Sequence, residues 1–128
     1  MNAAIAERTI DIEGLPVRYL TAGSGPPLVL VHGVGTSAGE WSWVLPALAR
    51  SHLVYAIDLP GFDSSARPPD YSQAFSARFL SAFLDALEVE RPVVLGNSLG
   101  GLVALRLALS EPARLTALVL VDRARASD

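Results

Sequence analysis

The sequence predicts an α/β fold: a mainly parallel sheet of about six strands with flanking helices, opened by an antiparallel hairpin. Two observations predict it. Apolar runs recur at residues 28–31, 93–95 and 115–121, and strands without polar alternation suit a sheet covered on both faces. Segments with helical spacing lie between them, so helices and strands alternate, and such units join parallel strands through right-handed crossovers.

Each element has its own signal. Residues 9–12 and 17–21 are short β-like runs separated by Gly14-Leu15-Pro16, which reads as a hairpin. After the breaker Gly23-Ser24-Gly25-Pro26-Pro27, residues 28–31 form a third strand that stops at His32-Gly33. Residues 41–50 place apolar side chains at helical spacing, with Pro46 marking where the regular helix begins. A fourth strand, 52–57, ends in the turn Asp58-Leu59-Pro60-Gly61, and the Pro- and Ser-rich residues 64–71 read as a loop. Phe75, Phe79, Phe83 and Leu87 recur every four residues and give the next helix a single apolar stripe. Residues 93–95 are a strand, 99–109 a helix closed by Glu111-Pro112, and 115–121 the last strand. No internal repeat or low-complexity segment is present.

Composition narrows the function. Apolar residues make up 51% of the 128, enough for a core. The net charge of -3 carries no basic face for nucleic acid. The absence of cysteine excludes a disulfide framework and a thiolate metal site, and no ligand cluster implies a metal or other cofactor. Residues 1–9 hold no apolar segment of signal-peptide length, and the most apolar helix is about half of what a bilayer span needs. These features lead us to expect a soluble, cytoplasmic protein with no membrane partner.

One motif carries chemistry. Gly96-Asn97-Ser98-Leu99-Gly100 lies between a strand and a helix and has the form G-x-S-x-G, the turn that holds a nucleophilic serine exposed. Gly96 and Gly100 suit a tight turn with little space for a Cβ. A serine attacking an acyl carbon needs N–H donors aimed at the developing oxyanion. The expected pair is the backbone N–H of Val34, in the loop His32-Gly33-Val34-Gly35, and that of Leu99. His32 is expected to orient this loop by hydrogen bonding rather than act as a base, and His52 to be a plain strand-edge histidine.

With these motifs in place, the chain resembles the N-terminal portion of an α/β-hydrolase-fold protein. The resemblance runs from the hairpin through His32-Gly33-Val34-Gly35, Asp58-Leu59-Pro60-Gly61-Phe62, Gly96-Asn97-Ser98-Leu99-Gly100-Gly101 and Leu118-Val119-Leu120-Val121-Asp122. Gly-Asn-Ser-x-Gly-Gly together with Trp41 is similar to the branch of esterases and carbon–carbon bond hydrolases. Serine at the nucleophile position argues against the epoxide hydrolase and dehalogenase branches, which carry aspartate there. One departure is Gly61-Phe62-Asp63-Ser64, which lacks the family's second glycine.

The resemblance implies a hydrolase of ester or related acyl and carbon–carbon bonds, acting on a small acyl substrate through Ser98. Its acid and histidine come later in the family's order. Within these 128 residues only His32 and His52 are histidines, and Asp122 is either a candidate acid or a strand-terminal cap. The sequence therefore reads as a single, truncated domain over residues 1–128. The alternative expectation is a catalytically inactive homologue serving as an oligomeric or binding module. Either way, the unpaired edge at 115–121 is expected to favour association, including homo-oligomers.

Overall fold

The computed structural model describes residues 4–33, 38–59 and 73–121. Its strands are β1 (Ala6–Ile12), β2 (Leu15–Ala22), β3 (Pro27–Val31), β4 (Leu53–Ile57), β5 (Val93–Asn97) and β6 (Ala117–Val121). The helices are α1 (Leu45–Leu48), α2 (Gln73–Ala86) and α3 (Leu99–Ser110), with 3-10 turns at Ala38–Trp41 and Pro112–Arg114.

The strands form one six-stranded sheet in the order β1-β2-β4-β3-β5-β6. β1 and β2 pair antiparallel, as do β2 and β4, while β3–β4, β3–β5 and β5–β6 are parallel. The fold class expected from the sequence is the one observed. The hairpin differs in detail. Its turn is Glu13-Gly14, both at positive φ (52° and 87°), and Leu15 and Pro16 already belong to β2. A two-residue loop with both φ positive matches the right-handed twist of the strands, and a glycine takes its second position without strain. The helix expected over 41–50 shrinks to α1, with Pro46 in its first turn as anticipated. The loop expected at 64–71 lies outside the described residues.

Burial follows the alternation of side chains across the sheet. Val29, Val31 and Ile57 point into a core completed by Phe79, Leu80, Phe83 and Leu84 of α2 and by Val103, Ala104 and Leu107 of α3. Leu28, Leu30, Val54 and Ala56 point to the other side, onto Trp41, Leu45 and Ala49. Covering on both faces explains why these strands lack polar alternation. β6 is the exception. Among the described residues it pairs with β5 alone, and Val119, Leu120 and Val121 remain exposed, whereas Leu115, just before the strand, is buried. Leu118 is half-buried, so the large apolar side chains left exposed on the predicted 115–121 edge are those at its C-terminal end.

Strand connections place the site. From β3 the chain turns to β4 on one side, and from β5 it turns to β6 on the other. Adjacent parallel strands whose connections diverge leave a crevice at their C-terminal ends, where ligands settle in open α/β sheets.

Candidate active site

Ser98 occupies that position, between the end of β5 and the first residue of α3. Its φ of 56° and ψ of -116° put a non-glycine residue in a sparsely populated backbone region. Such conformations persist only when the surroundings enforce them. Here the Ser98 N–H donates to the Val121 carbonyl at 3.2 Å, and the Ser98 carbonyl accepts from Gly101 (3.0 Å) and Leu102 (3.2 Å). The residue is thus pinned to β6 on one side and to α3 on the other.

The glycines make room for this turn. A Cβ on Gly96 would lie 2.5 Å from the Gly100 carbonyl oxygen. One on Gly100 would lie 2.3 Å from the Val31 oxygen and 2.4 Å from that of His32. Helix α3 therefore sits directly on the end of β3, which brings the elbow beside the loop that follows β3. Gly33 marks the contact, since a Cβ there would stand 3.4 Å from the Ser98 Cβ and 3.3 Å from the Asn97 backbone oxygen. Leu99 opens α3, where backbone N–H groups have no intrahelical partner and the helix dipole favours an anion.

Val34 and Gly35 lie outside the described residues, as does Asp122, but the residues flanking 34–37 are described, and each side is anchored. On the near side, His32 is fully buried, and its Nε2 accepts the Leu59 N–H at 2.9 Å. With Nε2 accepting, Nδ1 carries the proton and donates to the Gly33 carbonyl at 2.8 Å. Both ring nitrogens are engaged in fixing backbone. On the far side, the Asp58 carboxylate, also fully buried, accepts the Ala38 N–H at 2.5 Å and pairs with Arg18 at 3.1 Å. Burial works against the Arg18 charge, but hydrogen bonds to Glu7 (2.6 Å) and Asp58 outweigh it and hold its pKa above the ordinary value.

His52 stands at the opposite end of the sheet, ahead of the first residue of β4, with Nδ1 in contact with the Ser51 hydroxyl at 2.9 Å. Five strand residues at about 3.3 Å each separate it from the crevice, roughly 17 Å. Neither histidine is placed to activate Ser98.

The structure adds one residue that the motifs do not contain, Glu40, and gives Asp58 a role that its motif did not state. Glu40 accepts the Asn97 side-chain N–H at 3.1 Å and faces the Gly33 N–H at 3.5 Å. Nothing in the sequence marks it beyond its place before Trp41. Asp58 had a signal, a carboxylate ending an apolar strand. Among the described residues, the buried Trp41 Nε1 and Asn97 Oδ1 have no hydrogen-bond partner. No group of three or more metal-ligating side chains occurs among the described residues, and none of their helices is long and apolar enough to cross a membrane.

Comparison with known proteins identifies the family and the fold. The sequence model of the alpha/beta hydrolase fold family covers residues 26–127. Over 96% of its length, the chain is 38% identical to a 2-hydroxy-6-oxo-6-(2'-aminophenyl)hexa-2,4-dienoic acid hydrolase of Metapseudomonas resinovorans, covering 44% of that protein. Over 77% of its length it is 46% identical to a pimeloyl-[acyl-carrier protein] methyl ester esterase of Aeromonas hydrophila, covering 38% of that protein. Among solved structures, a serine hydrolase involved in carbazole degradation superposes with a TM-score of 0.87 at 36% identity, over 94% of this chain and 49% of that one. An epoxide hydrolase superposes at 0.90 with 33% identity, over 98% and 46%. The chain thus spans less than half the length of these relatives.

Proposed function

The chain belongs to the alpha/beta hydrolase fold family, and we propose that it is the nucleophile-bearing part of a serine hydrolase acting on carboxylic esters or vinylogous diketones. The observation that carries this is the Ser98 backbone at positive φ, set against Gly33 at the ends of β5 and β3. Ser98 Oγ attacks the acyl carbon, and its proton passes to a base. The backbone N–H groups of Val34 and Leu99 hold the oxyanion. Collapse of the tetrahedral adduct expels the leaving group, which takes the proton, and water then releases the acyl group from the serine.

The base is a histidine from outside these 128 residues, because His32 is committed to backbone and His52 is remote. The acid is either Asp122 or a residue likewise outside the chain. Loss of a triad base costs about 10⁶ in turnover, while an oxyanion hole and binding alone retain roughly 10³–10⁴ over water. The 128 residues by themselves are therefore a slow reagent rather than an efficient enzyme. The names of the relatives support the hydrolase class and leave the substrate open between ester and carbon–carbon bonds.

A fluorophosphonate probe tests the nucleophile. Prolonged incubation followed by intact-mass measurement is expected to show one adduct, absent from Ser98→Ala. Folded protein with no adduct would sink the reading. A second reading, a non-catalytic oligomeric or binding module, is favoured by the exposed Val119, Leu120 and Val121 on β6. Light scattering decides it: association that Leu120→Lys abolishes supports the edge as an interface, and a stable monomer refutes it.

A further inference from the structure

Glu40 belongs to neither motif, yet its carboxylate touches both. Oε2 accepts from Asn97 Nδ2 at 3.1 Å, and Oε1 faces the Gly33 N–H at 3.5 Å. Asn97 immediately precedes the nucleophile Ser98, and Gly33 immediately precedes Val34, the expected oxyanion donor. One carboxylate thus grips the residue ahead of each reacting element. Its own base is fixed, because the turn Ala38–Trp41 that bears it is tied to Asp58 at Ala38 and buried at Trp41.

Geometry makes such a bridge consequential. Asn97 ends β5 and Gly33 lies just past β3, so the two contacts join different strands, and productive constellations tolerate only about 0.5 Å of drift. Displacements of about 1 Å cost on the order of 10²-fold in rate. The Asn97 side-chain oxygen is buried without a partner among the described residues, so the Glu40 contact is what sets the orientation of its carboxamide.

We propose that Glu40 is a positioning residue, a carboxylate bridge that holds the nucleophile elbow and the oxyanion loop at a fixed separation. The proposal rests on Ser98 being the nucleophile. Between these three residues the bridge has a definite hydrogen-bond polarity: the donors Asn97 Nδ2 and Gly33 N–H each meet one carboxylate oxygen of Glu40. Glu40→Gln leaves one acceptor for two donors and loses one contact. Asn97→Asp sets two carboxylates against each other. The double variant Glu40→Gln/Asn97→Asp restores both contacts with one reversed. Its introduced carboxamide donates to the introduced carboxylate, while the carboxamide oxygen still accepts from Gly33.

The test measures two quantities on all four chains after thermal melts confirm folding. One is hydrogen exchange at the Gly33 amide, read by NMR. The other is the rate of Ser98 phosphonylation by a fluorophosphonate. We expect Asn97→Asp to slow labelling by about 10–100-fold and Glu40→Gln by less, with the double variant returning to within about threefold of the parent. Gly33 exchange should speed up in the single variants and slow again in the double.

A double variant as impaired as Asn97→Asp, or labelling unchanged across the series, would overturn the proposal. If the parent chain does not label at all, the nucleophile reading fails by itself. Gly33 exchange then judges the bridge: reversal in the double variant upholds it, and no reversal removes it.

Discussion

Replacing Ser98 by glycine should stabilise this protein, although glycine normally weakens whatever it enters. The residue is held at φ 56° and ψ -116°, outside the regions open to a side chain bearing a Cβ. Holding a non-glycine residue in such a region costs about 1–3 kcal/mol. Glycine relieves that cost and gives back roughly 0.4–1 kcal/mol through the greater freedom of the unfolded chain. The appropriate reference is Ser98→Ala, which keeps the Cβ and removes only the hydroxyl. The glycine variant should therefore exceed the alanine variant by about 0.5–2 kcal/mol in urea unfolding, with the same slope. For a domain of this size the corresponding rise in Tm is about 2–8 °C. A glycine variant equal to or less stable than the alanine variant would show that Ser98 is not strained, and the elbow argument would lose its physical basis.

Other perturbations probe the surroundings. Gly100→Ala places a methyl 2.3 Å from the Val31 oxygen, so α3 must lift from β3. Its stability should fall by about 1–3 kcal/mol in thermal melts, despite alanine being the better helix former. Asp58→Ala removes one partner of a pair whose aspartate is fully buried and strands the Ala38 N–H. A loss near 3 kcal/mol in chemical unfolding is expected, the low end for buried pairs because Arg18 keeps 22% exposure and its Glu7 contact. Tyr55 has its pKa raised above 10.0, first by burial and then by Tyr19. A group that binds its proton more tightly when folded contributes stability that is complete below its unfolded pKa and declines as pH rises through the folded one. Alkaline unfolding should therefore begin near pH 10 and be reduced in Tyr55→Phe, as followed by tyrosinate absorbance.

Much of this arrangement is legible in the chain, and the illegible part has a physical reason. Runs such as residues 28–31 announce strands covered on both faces, because a sheet buried on both sides removes the polar alternation that would otherwise mark it. Gly96, Ser98 and Gly100 announce the elbow because close packing of a strand on its helix restricts residue choice at fixed spacing. The hairpin turn is displaced by one or two residues from its sequence signal. Gly14, Leu15 and Pro16 together look like a breaker, yet Pro16 sits within β2 opposite Asp11, beside the open edge of the sheet. Glu40 carries no sequence signal at all. Its meeting with Asn97 spans 57 residues, and no local periodicity records a contact between side chains on separate elements. The same holds for the partners of Asp58, since Arg18 and Ala38 lie 40 and 20 residues away.

The central position of β3 has a consequence during synthesis. Its pairing with β5 joins Leu28 to Val93, so that edge of the strand stays open while 65 further residues are made. At translation rates of about 5–20 residues per second, this leaves roughly 3–13 seconds in which an apolar segment leaves the ribosome with one side unpaired. In that interval β4, α2 and the residues around Trp41 can shield the strand, but α3 cannot settle on Val31 and His32 until Gly100 has been added. The strand that leads into Gly33 is thus open along one edge to aggregation, or to capture by a chaperone, until β5 has been made.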